Sequence, residues 1–255
     1  MQLPPLQPAR LVRRYKRFLA DVTLEASGAA LTVHCPNPGS MMGLKAPGSR
    51  VWISRSDNPK RKLAHTLELV EADGGLVAIN TNNPNRLAEE AIRAGTIGAL
   101  KGFERLRREV PYAGRSRVDI VLEGGGATTF VEVKNCHLMR TPGLAEFPDS
   151  VTARGAKHLE DLAAEAARGH RAVMLFIVQR ADCHAFATAP DLDATYAAGL
   201  EAAARAGVEV LVHGCHITTL EITVGAALPW QTPAPRSSDA PEPKPKPGAL
   251  HTDEP

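Results

Sequence analysis

The sequence predicts a two-part fold, a small β-barrel followed by an α/β layer with a mixed sheet. Three observations predict it. Residues 10–80 read as short strand-forming runs broken by Gly, Pro, Asn and Asp clusters, with no convincing helix between them. After "NTNNPN" (80–85) apolar residues shift to helical spacing, and helices then alternate with strands. From Pro229 to Pro255 the chain carries eight of its twenty prolines, centred on "APEPKPKPG", and few apolar groups to offset the entropy of ordering. The expected parts are therefore 1–80, 81–228 and a disordered tail, 229–255.

In the first part the candidate strands are "YKRFLADVTL" (15–24), "ALTVHC" (30–35), "RVWISR" (50–55), "AHTLELVE" (64–71) and "GLVAIN" (75–80). The breaks between them, "EASG", "PNPGS", "KAPGS" and "EADGG", are turn formers, and short strands at this spacing suit a small barrel. In the second part "RLAEEAIRAGTIGAL" (86–100) places Leu87, Ala91 and Ala94 on one helical face, with Asn85 as N-cap and Gly95 as a break. "SRVDIVLE" (116–123), "GGG" (124–126) and "TTFVEVKN" (128–135) read as a hairpin. "SVTARGAKHLEDLAAEAARG" (150–169) is a helix with the stripe Leu159, Leu162, Ala163, Ala166 and Gly169 just past its end. "RAVMLFIVQR" (171–180) is a buried strand, "DATYAAGLEAAARAG" (193–207) a helix and "VEVLVHG" (208–214) a last strand.

Composition narrows the function classes. At 44% apolar over 255 residues the chain can bury a core without staples. Its longest apolar run, "AVMLFIV", is far short of the roughly 20 residues a bilayer span needs. The N-terminal stretch has no apolar h-region, so a cytoplasmic, membrane-free protein is expected. Cys35, Cys136, Cys183 and Cys215 form no Cys-x-x-Cys pair, which fits reduced thiols. His213, Cys215 and His216 in "HGCH" lack a second ligand cluster and read as polar residues at a strand end. Residues 1–80 hold 11 Lys+Arg against 6 Asp+Glu, whereas 81–228 hold 16 against 18. A basic module on a near-neutral body points to an anionic partner such as nucleic acid.

The chemistry concentrates in the hairpin. Glu132 and Lys134 share one face of "TTFVEVKN", with Val131 and Val133 on the other. Asp119, between Val118 and Ile120, interrupts the neighbouring strand. Two adjacent carboxylates stay ionised only with compensating positive charge, from Lys134 and from a cation such as Mg²⁺ or Mn²⁺ held by Asp119 and Glu132. Such a set suits attack on a phosphodiester, with Lys134 orienting water or neutralising developing charge. A cross-strand ion pair on an exposed face would account for the same residues at about 0.2–1 kcal/mol. Glu89 or Glu90 could add a third carboxylate from the preceding helix. Arg154, Lys157 and His158 fall on one basic face of the 150–169 helix, which either meets phosphate or is simply solvated. "RLVRRYKRF" sets Arg13, Arg14, Lys16 and Arg17 around Tyr15, a pattern for a single-strand track or for a solvated strand; Lys60, Arg61 and Lys62 add a basic loop. "HCPNPGSMMG" (34–43) reads as a tight loop without chemistry.

In order along the chain, "RYKRFLADV", "HCPNPGSMMG", "SDNPKRK", "NPNRLAEEAI", "SRVDIVL", "FVEVKN", "FPDSVTARGAKHLEDL" and "GVEVL" resemble the sugar fermentation stimulation protein A (SfsA) family, over about residues 6–225. The resemblance implies an N-terminal OB-like barrel and a C-terminal restriction-endonuclease-like, PD-(D/E)xK domain. It also implies DNA binding and a role in regulating sugar-utilisation genes. By position, Asp119, Glu132 and Lys134 match the nuclease motif, Glu90 is preferred to Glu89 as the helix acid, and Val118 stands where the motif has proline.

Overall fold

The computed structural model describes residues 1–112 and 116–231. The first six strands are β1 (Leu6–Tyr15), β2 (Leu19–Leu24), β3 (Ala30–His34), β4 (Arg50–Arg55), β5 (His65–Ala72) and β6 (Gly75–Ala78). They pair in the order β3-β2-β1-β4-β5-β6, and a parallel bridge from His34 to Thr66 joins β3 to β5 and closes a five-stranded barrel. Closure removes the exposed edges that an open sheet of this size would carry. Alternate residues of each strand, among them Ala9, Leu11, Val22, Val33, Val51 and Ile53, fill the interior.

One expected strand divides. The run 15–24 contains a reversal at Lys16 and Arg17, both in the left-handed region (φ 47° and 61°), so Leu6–Tyr15 and Leu19–Leu24 form a hairpin. The loop has three residues, Lys16–Phe18, and its two positive-φ positions in succession are ones that Gly or Asn usually take. Lys and Arg there cost about 1–2 kcal/mol each, and carry no turn signature in sequence.

The second part continues with α1 (Pro84–Arg93), β7 (Arg105–Tyr112), β8 (Ser116–Gly124), β9 (Ala127–Cys136), β10 (Leu138–Thr141), β11 (Leu144–Phe147) and α2 (Ala153–Ala167). It ends with β12 (Arg171–Val178), β13 (Ala185–Thr188), α3 (Ala194–Arg205), β14 (Glu209–Ile217) and β15 (Ile222–Ala227). Its main sheet has the order β15-β14-β12-β9-β8-β7. The β9, β12 and β14 strands are parallel, and the outer pairings are antiparallel. A small sheet, β10-β11-β13, lies beside it. Leu87, Ala88 and Ile92 of α1 cover one face with Val131 and Val133; Leu159 and Leu162 of α2 and Tyr196 and Leu200 of α3 cover the other with Met174 and Phe176. The α2 helix starts on the Thr152 cap and stops before Gly169 (φ 87°), as its sequence indicates. The α1 helix ends just before Gly95 (φ 71°), the break its sequence indicates, and residues 98–100 form a separate 3₁₀ turn.

The two parts share a core, since Leu69 and Ala78 of the barrel join the cluster under α1. Arg180, 1% exposed, fixes the seam by donating to Asp73 of the β5–β6 turn, to Asp182 and to the His137 carbonyl. At the other end, Pro229 and Gln231 hydrogen-bond with Phe186 of β13, and Trp230 packs on the α2–α3 side of the core. The folded body thus extends to Gln231, three residues into the stretch assigned from composition to the tail, because this short segment pairs along β13. The remainder of that tail, 232–255, lies outside the described residues.

Candidate active site

The β8–β9 ladder runs in register up to the Ile120–Val131 pair. Beyond it the strands part, and the Asp119 side chain satisfies the next amide: Val133 N–H donates to Asp119 Oδ2 at 2.7 Å. Asn85, in the first turn of α1, donates to Asp119 Oδ1 at 2.7 Å. On the β7 side, Glu109 holds φ 51°, and the ladder skips its pairing with Asp119. A non-glycine residue in that region costs about 1–2 kcal/mol, and such strain gathers at functional sites.

Glu132 is 2% exposed, and its Oε1 accepts from Lys134 Nζ at 2.6 Å and from His158 Nδ1 of α2. Arg154 Nε donates to His158 Nε2 at 3.2 Å. An accepting Nε2 places the ring proton on Nδ1, so His158 donates to the carboxylate. Glu132 Oε2 is buried and has no hydrogen-bond partner among the described residues. The Tyr112 hydroxyl, stacked through its ring on Phe130, is buried and unpartnered in the same sense.

The two carboxyls separate electrostatically. Burial, and then the charge of Glu132, push Asp119 up to about 6, against the pull of the Val133 amide, Lys134 and Asn85. Burial also works to raise Glu132, but the His158 hydrogen bond and the charge of Lys134 outweigh it and hold it below the usual carboxylate range. Burial first, and then the charge of Glu132, push the Tyr112 phenol up. A buried carboxylate oxygen without a donor, next to a carboxyl that resists ionising, marks a site short of positive charge. An all-oxygen pair of this kind fits a hard divalent cation that keeps several waters. No third His, Cys, Asp or Glu joins it in a metal-binding cluster among the described residues.

Lys134 and Arg154 also line a cleft of about 560 Å³ between barrel and body. Its barrel wall is Arg17, Thr81 and the loop 37–39, and its body wall includes Asn135, His137 and residues 147–152. Asn37, 1% exposed, donates to the Ile79 carbonyl and accepts from Gly39 N–H. Asp149 reaches across to Met41 N–H at 3.3 Å and lies 3.6 Å from His137 Nε2. Burial works to raise Asp149, but the His137 contact and the Met41 amide hold it down at about 2.

Two family models match the chain, the SfsA N-terminal OB domain over residues 12–79 and the sugar fermentation stimulation protein RE domain over residues 82–221. The sugar fermentation stimulation protein homolog of Rhodospirillum centenum is 60% identical over 230 residues, covering 89% of this chain and 98% of that protein. The chain belongs to the SfsA family. The homolog from Brucella ovis is 56% identical over 88% of this chain and 94% of its own length. The solved structure of Pyrococcus furiosus SfsA, described as in complex with Ca²⁺, superposes with a TM-score of 0.82 at 28% identity, over 91% of this chain and 98% of that one. The barrel is thus the OB domain of an SfsA protein, and the mixed-sheet part its restriction-endonuclease-like, PD-(D/E)xK domain.

In this SfsA chain Asp119, Glu132, Lys134 and His158 come together, whereas Glu90 does not join them. Glu90 turns to the Met1 amino group (2.7 Å) and to Arg86, on another side of α1 from Asn85. Glu89, one turn after Asn85, bonds Arg93 and Arg108. Asn85 is not the helix cap, since the helix starts at Pro84 and the Asn85 amide is spent on Asp119. The basic residues divide likewise. Arg13 pairs with Asp21 over the Tyr15 ring, and Arg14 donates to the Asn37 and Gly39 carbonyls. Arg61 donates to Thr66, and Lys157 pairs with Asp161. Lys16 and Arg17 stand at the exposed hairpin tip, and Lys60 and Lys62 are exposed. Val118, in the motif's proline position, is fully buried. Asn85, His158 as a buried partner, Tyr112 and the 37–41 loop carried no functional signal in the sequence reading. "HGCH" is not a strand end: β14 runs on through it to Ile217 and pairs with a further strand, β15, with His213 bonded to the Gly225 carbonyl.

Proposed function

We propose that this SfsA-family protein binds DNA and carries a Mg²⁺-dependent (or Mn²⁺-dependent) phosphodiesterase site, acting in the cytoplasm. The observation that carries the reading is the convergence of Asp119, Glu132 and Lys134 at the end of the β8–β9 ladder, with Glu132 Oε2 buried and unpartnered. Asp119 and Glu132 would hold the cation, which when bound lowers the pKa of water and offsets charge on a phosphate under attack. Lys134, 14% exposed, stands at the boundary between the buried carboxylate and the cleft, where its ammonium meets a phosphate oxygen or orients the attacking water. His158 fixes the Glu132 rotamer, and Arg154 fixes the His158 ring. The Pyrococcus relative's Ca²⁺ complex supports a divalent site in this fold.

Incubation of single-stranded and duplex DNA with Mg²⁺ or Mn²⁺ tests the reading. Cleavage by the wild type is expected to be lost in Glu132→Ala and in Lys134→Ala. Cleavage that survives both substitutions overturns the assignment.

One observation favours a second reading, a non-catalytic DNA-binding regulator of sugar-metabolism genes on a residual nuclease fold. Glu132 Oε1 is already occupied by Lys134 and His158, an arrangement that satisfies a structural ion pair. Salt-sensitive DNA binding with no metal-dependent cleavage would select it.

A further inference from the structure

The recessed position of the site bears on which form of DNA reaches it. Glu132 is 2% exposed and Lys134 14% exposed, so a phosphate on the outside of an intact double helix cannot meet them from the surface. Of the site residues, Lys134 lines the interdomain cleft. At about 560 Å³ it falls within the roughly 300–1,000 Å³ that encloses one drug-sized ligand. A nucleotide with its phosphate is of that size; a double helix, whose major groove alone is about 12 Å wide, is not. Cations stand on both walls: Arg17 on the barrel, Lys134 and Arg154 on the body. Asp149 is the lining carboxylate, and its charge faces Met41 N–H, Ser40 and His137. Arg17 stands in a strained turn on the barrel wall, and 77% of Val151 on the opposite wall is exposed; Phe18, 46% exposed, follows Arg17 in the chain and stacks on His34. Charge for the backbone beside apolar surface for the bases is the composition of a single-strand track.

We propose that the interdomain cleft admits one unpaired DNA strand, whose phosphates Arg17 and Arg154 hold from opposite walls beside Lys134. The proposal rests on the DNA-binding reading above and sharpens its substrate. A duplex serves only after a strand is lifted from its partner, at a cost of a few kcal/mol.

The test is fluorescence anisotropy in EDTA, with a 5′-fluorescein 15-mer of mixed sequence, alone or annealed to its complement. The single strand is expected to bind at least tenfold more tightly than the duplex. Arg17→Gly and Arg154→Ala are each expected to weaken single-strand binding about tenfold, as loss of a charged hydrogen bond does. Each is also expected to reduce the slope of log K against log salt by about 0.7, one phosphate contact. Arg205→Ala, which removes an exposed charge on α3, is the control and leaves both unchanged. Arg17→Gly relieves a positive-φ residue, so its melting temperature should not fall and lost binding is not lost folding. Duplex binding as tight as single-strand binding, or single-strand binding unchanged in both variants, overturns the cleft proposal and leaves DNA binding standing. Binding of neither form overturns the functional reading itself.

Discussion

Replacing Asp119 by Asn should stabilise the metal-free protein at neutral pH, although it removes a residue of the candidate active site. In the folded chain burial and the charge of Glu132 raise the Asp119 carboxyl from an ordinary value of 3.8 to about 6. A group raised on folding supports the folded state fully below its unfolded pKa, and that support is lost as pH rises through the folded pKa. The loss here runs from about pH 4 to about pH 6. A shift of about two units at ~1.4 kcal/mol each gives about 3 kcal/mol as the upper limit of the penalty at pH 7. The amide that Asp119→Asn introduces keeps an acceptor for Val133 N–H, and Asn85 must turn its own amide to accept instead of donate, which takes back about 1 kcal/mol. The expected net gain is about 1–2 kcal/mol at pH 7 to 8, shrinking to nothing or a small loss at pH 4. Urea denaturation of both proteins in EDTA, from pH 4 to pH 8, measures it. Added Mg²⁺ should reverse the order, since only the wild type offers two carboxylates to the cation. A stability difference independent of pH, or one that grows toward pH 4, would refute the electrostatic account.

Lys134→Met should cost about 2–4 kcal/mol at pH 7, because it strips the cation from a buried carboxylate while His158 still donates to it; the Glu132→Gln, Lys134→Met pair should cost clearly less than the summed singles, and additivity in urea melts would argue against the coupling. Asp149→Asn should cost about 2 kcal/mol at pH 7: this carboxyl is held at about 2 on folding, so its contribution is present above pH 4 and lost as pH falls toward 2. Acid titrations of wild type and variant should therefore converge near pH 2. Gly39→Ala drives a Cβ into the Asp149 carboxylate and should cost about 1–3 kcal/mol by displacing that group from the 37–41 loop; melts of Gly39→Ala and Asp149→Asn singly and combined should show the two effects overlapping instead of adding.

The β8–β9 hairpin was legible because two-residue alternation and a triple-glycine turn are local signals, and together they set Asp119 across from Glu132. The helix carrying His158 was legible for the same reason, but its surroundings were not. Helical periodicity puts Arg154 and His158 on one face without saying that β9 lies under it, and so a buried hydrogen-bond donor read as part of a basic surface. Which α1 side chain meets the site turns on a rotation of about 100° per residue: Asn85 reaches Asp119, Glu89 four residues on pairs with Arg93 and Arg108, and Glu90 turns toward Met1. The β7 strand escaped notice because "RLRREVPY" is densely charged and contains Pro111, both marks of an edge strand, which is what it is. The 37–41 loop reads as a turn in sequence. Its use appears only when Arg14 from one strand and Asp149 from the other domain close on it.

Arg180 sets a limit on how the protein selects what it binds. Its guanidinium is nearly inaccessible and joins the barrel turn to the body through Asp73 and Asp182, while Ala78 N–H bonds the Gln179 carbonyl alongside. Swinging the domains apart would break the Arg180–Asp73 pair and split the core that Leu69 and Ala78 share with α1, so the gap resists opening. If the cleft takes a strand, no closing step would report its arrival, and none of the binding free energy would be consumed in closing. On the single-strand proposal, discrimination would then fall on admission alone: a gap of near-constant width would sort strands by whether they are already unpaired, at the rate at which they encounter it.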